Sequence, residues 1–166
     1  MKLRPLFIFA GKFVALLVLF SAIWYWLLPF YAGILVGVGN GTLSSLGYPP
    51  MLHLKDREIT LTVFAQHVEV STEIMAFYGV PLLLALVWAA PNLSHTRRRR
   101  LSAWGVGGIA LLHWLNLLGQ AGMLLSPYWL GKLFAERLFL FSALADMLLP
   151  TLLCVSLALK PQEAQP

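Results

Sequence analysis

Arg97-Arg98-Arg99-Arg100 stands between two apolar runs, and the stretch from Glu73 to Leu125 that holds all three decides how the rest of the chain is read. Each run is close to the ~20 residues needed to cross a ~30 Å hydrocarbon core. Four consecutive arginines cannot be buried in hydrocarbon and are translocated poorly, so they hold their loop on the cytoplasmic side. Both flanking helices then have their far ends outside. The remainder of the chain is oriented by that one inference.

Composition agrees. Of 166 residues, 59% are hydrophobic and 11% charged, with a mean hydropathy of +0.77; a soluble domain carries about 25% charged residues. The chain reads as one membrane domain, residues 1–166. Its 12 Lys+Arg against 7 Asp+Glu give a formal charge of +5. Most of these bases flank apolar runs, so they are assigned to topology and anionic head groups and not to nucleic acid. The single cysteine, Cys154, lies inside an apolar run, which excludes a disulfide framework and a Cys-based zinc site.

Taken in order, Lys2, Arg4 and Lys12 precede an apolar run over residues 13–36 that carries Trp24, Tyr25, Trp26 and Tyr31. It is too long for the apolar part of a signal peptide. The expectation is a retained first helix with a cytoplasmic N-terminus, its aromatics marking the outer end and Pro29 kinking it. Residues 37–70 form an external segment, punctuated by Gly37, Gly39, Gly41, Gly47 and Pro49-Pro50. Within it, residues 51–64 read as a β-hairpin around Asp56-Arg57, with Ile59, Leu61 and Val63 on one face. A two-stranded hairpin is marginal in water, so it must pack on the helices or a partner. The second helix is expected over 72–90, broken by Pro81, and the cytoplasmic basic loop over 91–100. The third helix follows over 101–125, then an interfacial link from Ser126-Pro127-Tyr128-Trp129 to Arg137, and a fourth helix over 138–159. Lys2, Arg4, Lys12, the four arginines and Lys160 fall inside; Lys55, Arg57, Lys132 and Arg137 fall outside. That asymmetry fits an all-α integral membrane protein of four transmembrane helices with a small external hairpin. Both termini are expected in the cytoplasm, and the setting is a bacterial inner membrane.

The layout resembles the exosortase/archaeosortase superfamily, in particular the short exosortase H type and its associated membrane proteins. In that pattern a catalytic Cys heads a helix after an external strand-like segment. An arginine-rich loop, an Asn-x-x-Arg-like helix and a last helix headed by His follow. Here Val68-Glu69-Val70-Ser71-Thr72-Glu73 stands at the Cys segment, Asn116-Leu117-Leu118-Gly119 at the Asn-x-x-Arg turn and Ala135-Glu136-Arg137-Leu138 at the His segment. Ser71, Thr72 or Glu73 replaces the Cys, Gly119 the Arg, and Glu136 or Arg137 the His. A thiol transpeptidase cannot work without its thiolate and the groups that assist it. The resemblance therefore implies a relative with no catalytic residues.

Polar residues at membrane depth are the remaining candidates. His113, Asn116 and Gln120 share one face of the third helix by their spacing, and Asp146 lies near the middle of the fourth. One reading makes this cluster a site for a proton, a polar ligand, or a pigment or haem held by His113. The other is a staple in which His113 or Asn116 bonds Asp146 and joins two helices. Externally, His67, Glu69 and Glu73 form a weak metal-type set without a tight ligand spacing, and no metal is assigned. Ser71 beside His67 has the types of a nucleophile and base but no orienting third group. Gly105-x-Gly107-Gly108 and Gly119-x-x-Gly122 read as close helix packing and not as a phosphate cradle. The functional expectation is a non-catalytic accessory protein, surrounded by membrane lipids and bound to one or more membrane-protein partners, with the cofactor unspecified. The alternative is a small structural subunit of a respiratory, photosynthetic or transport complex that touches a cofactor through His113.

Overall fold

The computed structural model describes residues 4–55, 58–63, 68–73, 78–91 and 93–159. It is mostly helical, with one small antiparallel sheet. In chain order the elements are α1 (Arg4–Ser45), β1 (Leu52–Lys55), β2 (Glu58–Val63), β3 (Val68–Glu73), α2 (Gly79–Ala89), α3 (His95–Leu125) and α4 (Trp129–Leu159). By length and composition, Phe7–Ser45 and His95–Leu125 are long and apolar enough to cross a membrane.

The first helix is longer than its apolar run. Its 42 residues reach about 63 Å at 1.5 Å per residue. Pro29 lies inside it. Glycines 37, 39 and 41 do not end it, which corrects the expected boundary at residue 36. Tertiary contact overrides their weak propensity there: a side chain at position 39 would strike Leu52 of β1. The helix stops at Gly47, whose φ of 85° is the left-handed conformation that glycine adopts without strain. Gly47 N–H donates to Ser44 O at 3.0 Å and Tyr48 N–H to Leu43 O at 3.0 Å. This pair of bonds closes the last carbonyls in a Schellman cap.

The hairpin expected over 51–64 is part of a three-stranded sheet of order β1-β2-β3. Leu52 pairs with Leu61 and Leu54 with Ile59, while Ile59 faces Thr72 and Leu61 faces Val70. Ile59 and Leu61 are buried, as their alternation implies; Leu52 joins them, with Leu28, Ala32, Leu35 and Leu43 of α1 and Leu117 and Ala121 of α3. The sheet thus rests on the C-terminal parts of α1 and α3.

The third strand takes residues that the apolar reading gave to the second helix. Thr72 and Glu73 pair with β2, so α2 begins only at Gly79 and has 11 residues. Pro81 sits in its first turn, where a missing N–H costs no intrahelical bond, and so it does not break the helix. Val80, Leu83 and Val87 of α2 pack with Ile109 of α3 in a second core. Trp24 touches both cores.

Two further boundaries shift. The arginines belong to α3 and not to a loop, because Ser94 caps that helix by accepting from Arg97 N–H at 3.4 Å. The fourth helix starts at Trp129, so the expected interfacial link shrinks to a turn in which Ser126 Oγ donates to Tyr128 O at 3.1 Å.

Gly119 of α3 permits a close approach of the α4 backbone. A Cβ at Gly119 would lie 2.9 Å from Phe139 N and 3.0 Å from Ala135 O, both backbone atoms of α4. Gly107, in contrast, meets nothing within 4 Å. Gly119→Ala should therefore force α3 and α4 apart at a cost of about 1–3 kcal/mol, and Gly107→Ala should not destabilise. Thermal unfolding of both variants in mild detergent checks this; a Gly119→Ala melting temperature equal to that of the parent would refute the contact.

Candidate functional site

α3 carries the polar residues on which the site is built, and the fold divides them between two neighbours. His113 is 2% exposed, and its Nδ1 is hydrogen-bonded to the Tyr31 hydroxyl of α1 at 2.7 Å. The two rings meet edge-on with centroids 5.8 Å apart. Trp24, seven residues before Tyr31, packs on the Tyr31 ring at 5.0 Å.

Asn116 turns the other way. Its Nδ2 donates to Ser142 Oγ of α4 at 3.2 Å, and lies 3.5 Å from Phe139 O. Ser142 Oγ donates onward to Phe139 O at 2.8 Å, and Gln120 Nε2 donates to Asn116 Oδ1 at 2.8 Å. The row is a chain of donors and acceptors that joins α3 to α4 one turn below the Gly119 contact. Asp146 lies on α4, but its side chain is outside the described residues, and with it the expected pairing to His113 or Asn116.

Tyr31 and Ser142 are the partners that sequence reading missed. The aromatics of α1 were assigned to the head-group level, yet Trp24, Leu28, Tyr31 and Leu35 recur at intervals of four, three and four. That period puts them on one inward stripe. Trp26 is 77% exposed and belongs to the other side, so the periodicity separates the two roles. Ser142 carries no such signal.

The buried indoles add an asymmetry. Trp24 Nε1 and Trp114 Nε1 are buried donors with no acceptor among the described residues, and both rings pack against the core that contains Leu117 and Ala121. A buried N–H without a partner forgoes its hydration for nothing, so each marks a place where a carbonyl or hydroxyl acceptor would be favoured.

At the far end of α3, Arg97, Arg99 and Arg100 are exposed, whereas Arg98 folds back. Its Nη2 donates to Ala90 O at 3.0 Å and so satisfies a terminal carbonyl of α2. Trp88 Nε1 donates to Ser102 Oγ at 3.2 Å beside it. The external set is not brought into view: His67 lies outside the described residues, and Glu69 and Glu73 are placed on β3 by backbone only. Among the described residues no group of three or more His, Cys, Asp or Glu could hold a metal ion.

No protein-family model, no curated protein and no solved structure matches the chain.

The Tyr31–His113 bond is testable by a double-mutant cycle. Tyr31→Phe removes only the hydroxyl, with an expected loss of about 1–2 kcal/mol. Paired with His113→Phe, the two losses should fall short of additivity by about 0.5–1.5 kcal/mol. Strict additivity in reversible unfolding would show that the bond contributes nothing.

Proposed function

We propose that the chain is a non-catalytic accessory membrane protein that acts by association with a larger membrane protein or complex. Its layout resembles that of exosortase-associated proteins in a bacterial inner membrane. In this reading four helices sit in the bilayer, both termini and the arginine cluster are cytoplasmic, and the sheet is external.

The observation that carries the topology is the separation of two features along α3. The arginines occupy its first turns, while Leu124 and Leu125 at its other end pack against the core shared with the sheet. Between these ends the outward faces are apolar: Phe30 and Ile34 of α1 and Phe141 and Leu144 of α4 are all exposed. A soluble monomer rarely shows apolar surface on this scale. The 11 residues of α2 cover about 16 Å as helix, and on this reading it sits in the bilayer against its neighbours α1 and α3.

The lack of sortase chemistry has its own support. Gly119 stands where the family pattern has an arginine, and the backbone of α4 fills the space a Cβ would need. Glu136 and Arg137, at the position of the family's His, are exposed on α4. A second reading, a small subunit of a respiratory, photosynthetic or transport complex, is favoured by one observation: the buried indole donors of Trp24 and Trp114 near the Tyr31–His113 pair.

Purification of the tagged protein in mild detergent, followed by mass spectrometry, separates the readings. The accessory reading expects a membrane-protein partner in fixed stoichiometry, and a monodisperse chain with no protein partner would overturn it. A small polar ligand lost in Trp24→Phe/Trp114→Phe would support the second. For topology, a cysteine placed at Lys55, an exposed position of β1, should react with an impermeant thiol reagent from the external side only, and one placed at Arg99 from the cytoplasmic side only. Cys154→Ser should leave partner assembly unchanged, because no step uses the thiol.

A further inference from the structure

The two edges of the sheet are treated differently. On the outer side of β1, the carboxamide of Asn40 takes the place of a neighbouring strand. Its Nδ2 donates to Leu52 O at 2.8 Å, and its Oδ1 accepts from Leu52 N–H at 2.9 Å and from Met51 N–H at 3.0 Å. α1 thus closes that edge at Leu52. β3 is the other end of the sheet, and no described element pairs with its outer side.

The hydrogen-bond pattern says which groups face that open side. Thr62 N–H donates to Met51 O at 2.9 Å, whereas Leu52 turns both backbone groups to Asn40. Bonded and non-bonded pairs alternate along an antiparallel ladder. Thus Ile59, Leu61 and Val63 direct their backbone groups toward β3, and their partners Thr72, Val70 and Val68 return them. Glu69, Ser71 and Glu73 are left with N–H and C=O on the outer edge.

The same register sets the character of the edge. Glu69, Ser71 and Glu73 share a face of the sheet with Glu58, Thr60 and Thr62 and, one strand further, with Lys55 and His53; Lys55 stands opposite Glu58, so at the β3 edge the charges left are the carboxylates of Glu69 and Glu73. Val68, Val70 and Thr72 share the other face with Ile59 and Leu61. An added strand would continue both faces, so it needs apolar residues on one side and cationic ones on the other. A second copy is a poor fit: pairing β3 with itself about Ser71 sets Glu69 against Glu73, and like charges opposite one another are destabilising.

From this juxtaposition we infer that the outer edge of β3 is a docking edge for a partner protein's extended segment in which basic and apolar residues alternate, added as a fourth strand. Main-chain bonds to Glu69, Ser71 and Glu73 supply the affinity, and the acidic face selects the basic side of the segment. The inference rests on the association reading and names the chemistry of what associates.

The test uses the whole protein in neutral detergent and a fluorescently labelled hexapeptide of alternating Lys and Val, read by anisotropy. A block peptide of three Lys then three Val has the same charge but cannot present it on one face. The alternating peptide should bind, and the block peptide and a Glu-for-Lys version should each be about tenfold weaker. Ser71→Pro deletes one outward N–H and spares the ladder to β2, since proline is tolerated on edge strands. It should lose about tenfold in affinity with an unchanged melting temperature. Glu69→Lys/Glu73→Lys should reverse the preference toward the Glu peptide, and it decides the matter if Ser71→Pro fails to fold. Binding by stable Ser71→Pro at parental strength, or an unreversed preference in the double variant, would overturn the inference. If membrane partners co-purify with Ser71→Pro as well as with the parent, the edge is not the docking site while the association reading stands. If nothing co-purifies with the parent, that reading falls.

Discussion

One carboxamide joins the helices to the sheet. Asn40 makes three hydrogen bonds to the backbone of Met51 and Leu52, with every bond satisfied on both sides. Without it, the outer edge of β1 would lie unpaired against an apolar helix, where a backbone group without a partner costs several kcal/mol. The other features of this end follow from the tether. α1 must continue to residue 45 to present Asn40, position 39 must lack a side chain so that Leu52 can close on the helix, and the chain must reverse at Gly47.

The interior of the bundle obeys the same economy with polar side chains. His113 and Asn116 are three residues apart, yet one is bonded to α1 and the other to α4. α3 therefore works as a central post, joined to α1 and to α4 by hydrogen bonds from neighbouring positions of one face. The close approach at Gly119 adds the packing that such bonds alone do not provide, since apolar side chains gain little by leaving lipid for one another.

Much of this was legible in the sequence, and the misses are instructive. The inward face of the hairpin followed from the alternation of Ile59 and Leu61, and close helix packing from the small residues of α3. The strand Val68–Glu73 was hidden because it runs into an apolar stretch, so hydropathy alone assigned its end to a helix; its β-branched residues were the better guide. The glycines at 37, 39 and 41 misled because local propensity cannot register a contact with a strand that follows later. Of the polar site, one side of each bond was found, His113 and Asn116, because polar residues are conspicuous in apolar runs. Tyr31 was not found, because tyrosine at the end of an apolar run suits the head-group level equally well.

The shortness of α2 bears on how such a chain is assembled. Eleven residues are too few for a membrane-insertion channel to retain as an independent span. The helix is stable only once its neighbours exist. Its last carbonyl is met by Arg98, which is synthesised after it. On the proposed topology, α2 and α3 enter the bilayer as one helical hairpin, and Arg98, which begins the second arm, also meets the carbonyl at the end of the first. On that topology the second helix keeps an open end until residue 98 has emerged.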